Sequence, residues 1–85
     1  GLENSLKILK FQKNQLQLIK MFYFKNLMNL EELQLQRNQI SSIDIFSFDD
    51  LINLKRLDLS ENMIFSIDTI IFEKMKLLIK LDIQN

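Results

Sequence analysis

The sequence predicts a repeat solenoid in which short parallel strands line one face and irregular or 3₁₀ turns line the other. Leucine, asparagine, isoleucine and phenylalanine each recur at a fixed step of 24 residues. Within the copies, Leu-x-Leu pairs such as Leu33 and Leu35 show the alternation of a strand with one buried face. One such strand cannot bury its apolar face alone, whereas stacked copies bury it against each other.

The periodic positions divide the chain into copies. They are Leu6, Leu30, Leu54 and Leu78; Asn14, Asn38 and Asn62; Ile19, Ile43 and Ile67; and Phe24, Phe48 and Phe72. The 85 residues then comprise the end of a preceding repeat (1–5), three repeats (6–29, 30–53 and 54–77) and a partial repeat (78–85). Because no linker separates the copies, we expect one continuous unit.

The periodic asparagines and phenylalanines have expected structural roles. Each asparagine follows a strand, where its amide can hydrogen-bond the unpaired backbone of the turn and form a ladder from copy to copy. The phenylalanines are expected to stack as a spine in the return segments, and each would bury about 150–250 Å². These residues build the fold and offer no chemistry of their own.

This pattern resembles the leucine-rich repeat family in its typical 24-residue form. The copies read L-x-x-L-x-[LFI]-x-x-N-x-[LI]-x-x-I-x-x-x-x-F, and the match extends over residues 6–85. The resemblance implies an α/β-type leucine-rich repeat solenoid whose concave sheet face binds proteins. The lead-in at residues 1–6 resembles chaoptin-like adhesion proteins, and residues 54–62 resemble Toll-like receptor ectodomains.

Composition argues against several classes of function. The 11 Lys and Arg balance the 11 Asp and Glu, so the surplus of positive charge that favours nucleic-acid binding is missing. Histidine and cysteine are absent, which excludes disulfides, Cys/His zinc sites and His- or Cys-based catalysis. We therefore expect no enzyme activity, cofactor, metal site or nucleic-acid partner. Membrane association is expected only through parts of a parent chain outside this sequence.

The candidate binding surface is the outward side of the strands, and its expected partner is a protein. Its residues lie between and just after the inward leucines: Lys10, Gln12, Lys13, Glu32, Gln34, Gln36, Arg37, Arg56, Asp58, Ser60, Glu61, Lys80 and Asp82, with Ile8, Gln84 and Asn85 completing the rows. The alternative is a solvated face with salt bridges between neighbouring copies, each worth about 0–1 kcal/mol. The expected pairs are Arg37 with Glu61 and Glu32 with Arg56.

A second candidate surface is the convex turn before each periodic phenylalanine. It contains the apolar stretches 21–23, 45–46 and 69–71, with Leu18 and Phe65 nearby. One interpretation is an apolar patch that meets a partner. The interpretation we favour is that these side chains pack between successive turns and widen the core, because apolar residues at a repeated register usually follow packing.

Together these patterns predict a non-enzymatic protein-interaction module. The resemblance to typical 24-residue Asn/Phe repeats implies an extracellular or cell-surface adhesion or receptor array. The alternative is an intracellular leucine-rich repeat scaffold or regulatory subunit, which the absence of cysteine fits slightly better.

Overall fold

A computed structural model describes residues 5–84 of the chain. Within this range the strands are β1 (Ile8–Lys10), β2 (Leu18–Ile19), β3 (Glu32–Gln34), β4 (Ser42–Ile43), β5 (Arg56–Asp58) and β6 (Lys80–Asp82), and a 3₁₀ helix covers Thr69–Phe72. The predictions for residues 1–4 and for Asn85 lie outside the described residues.

Parallel strands form the main sheet, in the order β1-β3-β5-β6. Leu9 pairs with Leu33, Leu33 with Leu57, and Leu57 with Leu81, so successive strands are related by the 24-residue step. The central leucine of each strand points to the core side, and the two residues beside it point to solvent. This sheet and the turn-rich return segments confirm the predicted solenoid.

A second, two-stranded parallel sheet lies outside the sequence prediction. In it, Leu18 of β2 pairs with Ser42 of β4, and Ile19 pairs with Ile43. The equivalent residues of the third copy, Ser66 and Ile67, are not in a strand. Strands of two residues are too short to show an alternation of apolar and polar side chains, so the sequence gives no signal for them.

The core is a column of side chains between the main sheet and the return segments. Its fully buried residues come mainly from the middle copies: Leu30, Leu33, Leu35, Ile40, Phe48, Leu51, Leu54, Leu57 and Leu59. Leu6, Leu9 and Leu16 of the first copy are only partly buried. A middle copy has a neighbour on both sides, whereas within residues 5–84 the first copy has one.

Asn62 connects the third copy to the second. Its amide donates to the carbonyl oxygen of Leu59 at 2.9 Å and to that of Leu35 at 3.0 Å. Its Oδ1 accepts from the backbone N–H of Ile40 at 3.0 Å. One buried side chain therefore pairs three backbone groups of two copies that secondary structure leaves unpaired.

Asn38 makes the equivalent set of bonds one copy earlier, with Phe11, Leu35 and Leu16. Asn14 is exposed, and its amide donates to the carbonyls of Phe11 and Gln12 in its own copy. The ladder thus spans two interfaces between copies.

The residue before each of these asparagines has a left-handed backbone. The φ angles are 59° at Lys13, 58° at Arg37 and 54° at Glu61. This conformation costs about 1–2 kcal/mol for a residue with a Cβ. Hydrogen bonds between copies hold it in place, since the N–H of Arg37, for example, donates to the carbonyl of Ser60 at 3.1 Å.

The phenylalanine spine contains two rings. Phe24 and Phe48 are buried, with ring centroids 6.0 Å apart. Phe72 is only partly buried, so the prediction of a three-ring spine is wrong there. Ile71, just before it, is buried, as Ser47 is at the equivalent position of the second copy, and Phe72 packs against the core without being enclosed.

The prediction that the convex apolar residues widen the core is wrong for most of them. Phe22 is 65% exposed and Phe46 is 53% exposed. Leu18, Met21, Tyr23, Ile45, Phe65 and Ile70 are exposed as well, and Ile71 is the exception. In the first two turns the periodic phenylalanine fills the core, and the apolar side chains before it are directed outward.

Replacing the central spine residue should destabilise the protein strongly. We expect Phe48→Ala to lower the free energy of unfolding by about 3–5 kcal/mol, because it leaves a cavity in a fully buried site. Phe72→Ala is the matched control and should cost clearly less, since that ring is only partly buried. Equal losses of unfolding free energy in denaturant titrations would contradict this difference.

Removing an asparagine of the ladder should also destabilise the protein. Asn62→Ala leaves the carbonyls of Leu35 and Leu59 and the N–H of Ile40 without this partner. A buried polar group without a partner costs about 1–3 kcal/mol. Chemical denaturation should show a loss of at least that size, together with faster hydrogen exchange at the Ile40 amide, whereas Asn14→Ala should change both far less.

Candidate protein-binding surface

The solvent side of the main sheet is a regular grid of side chains, which we call the concave face. It consists of the outer residues of each strand and the residue two positions beyond: Ile8, Lys10 and Gln12; Glu32, Gln34 and Gln36; Arg56, Asp58 and Ser60; and Lys80, Asp82 and Gln84. Neighbouring strands lie about 4.8 Å apart, and same-face residues along one strand lie about 6.6 Å apart. The backbone therefore fixes the spacing of these side chains.

Most of the site residues expected from the sequence lie on the concave face. Lys13, Arg37 and Glu61 lie beside it instead, on the left-handed turns after the strands. Their side chains are exposed at one rim of the sheet. The predicted surface therefore divides into a central grid and a flanking row.

Both salt bridges expected between neighbouring copies are present. Arg37 Nε lies 2.7 Å from Glu61 Oε2, and this hydrogen bond raises the pKa of the Arg37 guanidinium. Arg56 Nη1 lies 3.7 Å from Glu32 Oε1. Three of these four side chains are about half exposed, so the pairs contribute little to stability and stay open to competition by a partner.

A chain of polar contacts runs along β3 on the concave face. Gln34 Nε2 donates to Glu32 Oε2, and Gln36 Nε2 donates to Gln34 Oε1 at 3.4 Å. The chain leaves Gln36 Oε1 buried with no hydrogen-bond partner among the described residues, and the same is true of Gln12 Oε1. Both oxygens are shielded from solvent, so these side chains would have to rotate before a partner's donor could reach them.

One charged cluster was missed by the sequence reasoning. Glu31 lies between Lys7 and Lys55, with nitrogen–oxygen distances of 3.5 Å and 3.4 Å. The charge and hydrogen bond of Lys55, followed by those of Lys7, hold the pKa of the Glu31 carboxyl below its usual value. Lys7, Glu31 and Lys55 follow one another at the 24-residue step, so this alternation of charge in the sequence could have predicted the cluster.

The concave face has no deep pocket for a small molecule. Its depression, lined by residues such as Gln36, Arg56 and Asp82, has a volume of about 140 Å³, whereas ligand pockets usually occupy about 300–1,000 Å³. Residues 5–84 also contain no group of three or more side chains suited to hold a metal ion. No helix in this range is long and apolar enough to cross a membrane.

The sequence profile of the leucine rich repeat family matches residues 4–64 and 28–85. The chain belongs to the leucine-rich repeat family. Members of this family are protein-interaction modules, and the chain has the stacked strands on which such modules present their binding residues. No curated protein sequence matches the chain.

Two solved structures of a Drosophila complex contain chains similar to this one. In the structure of the Toll–Spatzle complex, a molecular hub in development and innate immunity, the similarity has a TM-score of 0.88 and 23% identity, and it covers 93% of this chain and 10% of that chain. In the glycosylated form, the TM-score is 0.88 with 29% identity, covering 96% and 12%. The chain therefore spans only a small part of those solved chains, and the likeness confirms the fold.

Acid should weaken the protein through Glu31. A carboxyl whose pKa is lowered on folding stabilises the folded state fully above its unfolded pKa, and this contribution is lost as the pH falls through the lower, folded pKa. We therefore expect Glu31→Gln to destabilise the protein at neutral pH and to have less effect at acidic pH. Denaturant titrations at several pH values check this, and a destabilisation that does not change with pH would contradict it.

Proposed function

We propose that this chain is part of the protein-binding solenoid of an extracellular or cell-surface receptor or adhesion array. It acts without catalysis and contacts its partner through the concave face. The observation that carries this proposal is the grid itself, in which exposed polar side chains are held at fixed spacing on paired strands around a depression too small for a drug-sized ligand. Such a surface suits a partner of protein size.

The extracellular setting is supported by the likeness to chains of the Toll–Spatzle complex, in which a leucine-rich repeat protein is joined to another protein. The second candidate is an intracellular scaffold or regulatory subunit. It is favoured by the lack of cysteine in the 85 residues, because extracellular proteins often contain disulfides. The two candidates differ in the compartment where the concave face meets its partner.

New glycosylation sites test both the compartment and the face. The sequence contains no Asn-x-Ser/Thr site. Met28→Thr creates one at the exposed, convex Asn26, and Gln34→Asn with Gln36→Thr creates one at position 34 on the concave face. In the secretory pathway we expect both variants of the parent protein to gain a glycan that a glycosidase removes. Adding Asn26→Gln to Met28→Thr gives a control without the site.

The two glycans should have different effects on partner binding. Amine-reactive cross-linking on intact cells should join the unmodified protein and the convex variant to another protein, and the glycan at position 34 should prevent it. Loss of the adduct in both variants, or in neither, would contradict binding through the concave face. Absence of glycan from both variants, with surface labelling only after the membrane is opened, would favour the intracellular scaffold.

A further inference from the structure

The charges of the concave face are arranged unfavourably where β5 pairs with β6. Arg56 lies opposite Lys80, and Asp58 lies opposite Asp82. We call these four residues the charge block. Like charges directly opposite each other on neighbouring strands destabilise a sheet. The block therefore places two repulsive pairs side by side on the exposed surface of this sheet.

The cations and anions of the block do not neutralise one another. Across residues 5–84, the salt bridge of Arg56 is made with Glu32 of β3, and Lys80 forms no salt bridge. Arg56 and Asp58 form no salt bridge with each other because they are two residues apart, about 6.6 Å along the strand. Within the block the positive and negative rows therefore stay separate, and Glu32 neutralises the positive row only at Arg56.

Among residues 5–84, the two carboxylates make hydrogen bonds only within their own chain segments. Asp58 Oδ1 accepts from the N–H and hydroxyl of Ser60, at 2.9 Å and 2.6 Å, and Asp82 Oδ1 accepts from the N–H of Gln84 at 3.2 Å. A carboxylate can accept about four hydrogen bonds. Both groups therefore keep free acceptor positions, and the unpartnered Gln36 Oε1 belongs to the same depression.

We propose that the charge block binds a segment of the partner protein that carries one basic and one acidic side chain about 7 Å apart. The basic side chain lies over Asp58 and Asp82, and the acidic one lies over Arg56 and Lys80. This proposal rests on the proposed function, since it names the chemistry of the partner on the concave face. Binding would add attractions between opposite charges that offset the two repulsions within the block.

The spacing indicates the form of the segment. Residues i and i+2 of an extended chain lie about 6.6–7 Å apart on one face, which matches the distance between the rows. Arginine suits the basic position, because its planar guanidinium can hydrogen-bond two carboxylate groups at once. An extended segment with Arg-x-Glu therefore satisfies both rows.

Two synthetic peptides of identical composition test the proposal. One repeats Arg-Ser-Glu-Ser, and in the other all arginines come first, all serines follow and all glutamates come last, so that it contains no Arg-x-Glu. Fluorescence anisotropy at low salt measures their dissociation constants for the parent protein secreted from eukaryotic cells. We expect the alternating peptide to bind about tenfold more tightly, a difference of about 1.4 kcal/mol, and this preference should shrink as salt is added. Equal binding of the two peptides would overturn the proposal.

Variants assign the preference to the block. The double variant Asp58→Gln, Asp82→Asn should remove the preference for the alternating peptide, and Lys80→Gln should reduce this preference. Asp49→Asn with Glu73→Gln removes the same number of negative charges from the return segments and should leave it unchanged. An unchanged preference in the block variants, when their thermal unfolding shows that they are folded, would overturn the proposal.

The glycan at position 34 separates this proposal from the proposed function. If that glycan stops cross-linking to the cell-surface partner while the block variants still form the adduct, the concave face binds by other residues, so the inference about the block fails and the proposed function stands. If neither the glycan nor the block variants affect the adduct, the proposed function fails as well.

Discussion

The pairing of each copy with the copy 24 residues away is the constraint on which the whole structure depends. It forms the main sheet, holds the left-handed turns at Lys13, Arg37 and Glu61, and gives Asn38 and Asn62 their backbone partners. None of these groups is paired by its own copy alone. The length of the strand segment in each copy is thus set by hydrogen bonding as much as by burial, because an insertion within it would shift the backbone groups out of register with their partners.

The same pairing has opposite consequences on the two sides of the sheet. On the core side, residues of equal position stack directly on one another, so rows of leucine such as Leu33 and Leu57 pack well. On the concave face, stacking of equal residues is unfavourable when they are charged. Alternating positive and negative charges along a row relieve this repulsion, as the salt bridge between Glu32 and Arg56 shows. The charge block departs from alternation, which is why we propose for it a role in recognition rather than in folding.

Sequence reasoning predicts what depends on the period and misses what depends on local chain direction. The strands, the buried leucines and the rows of the concave face follow from the 24-residue step, which also locates Arg37 near Glu61. The burial of Ser47 and Ile71, just before Phe48 and Phe72, depends on the direction of the return turns. The exposure of Phe22 and Phe46 likewise depends on the direction of tight turns, which apolarity alone does not reveal.

The core residues of β6 are more exposed than those of β5, and β6 carries half of the charge block. The core residues of β5 and its extension, Leu57 and Leu59, are at most 1% exposed, whereas Leu81 and Ile83, their equivalents after one more repeat step, are 39% and 42% exposed. In a solenoid, each copy is stabilised by the copies it contacts. Half of the charge block lies on β6, so the order of Lys80 and Asp82 depends on how well that apolar edge is covered. Covering the edge would hold the two rows of the block at fixed spacing before a partner arrives, and a pre-formed site loses less entropy on binding. If the charge block binds a partner as proposed, stacking of copies and recognition on the concave face are coupled through β6.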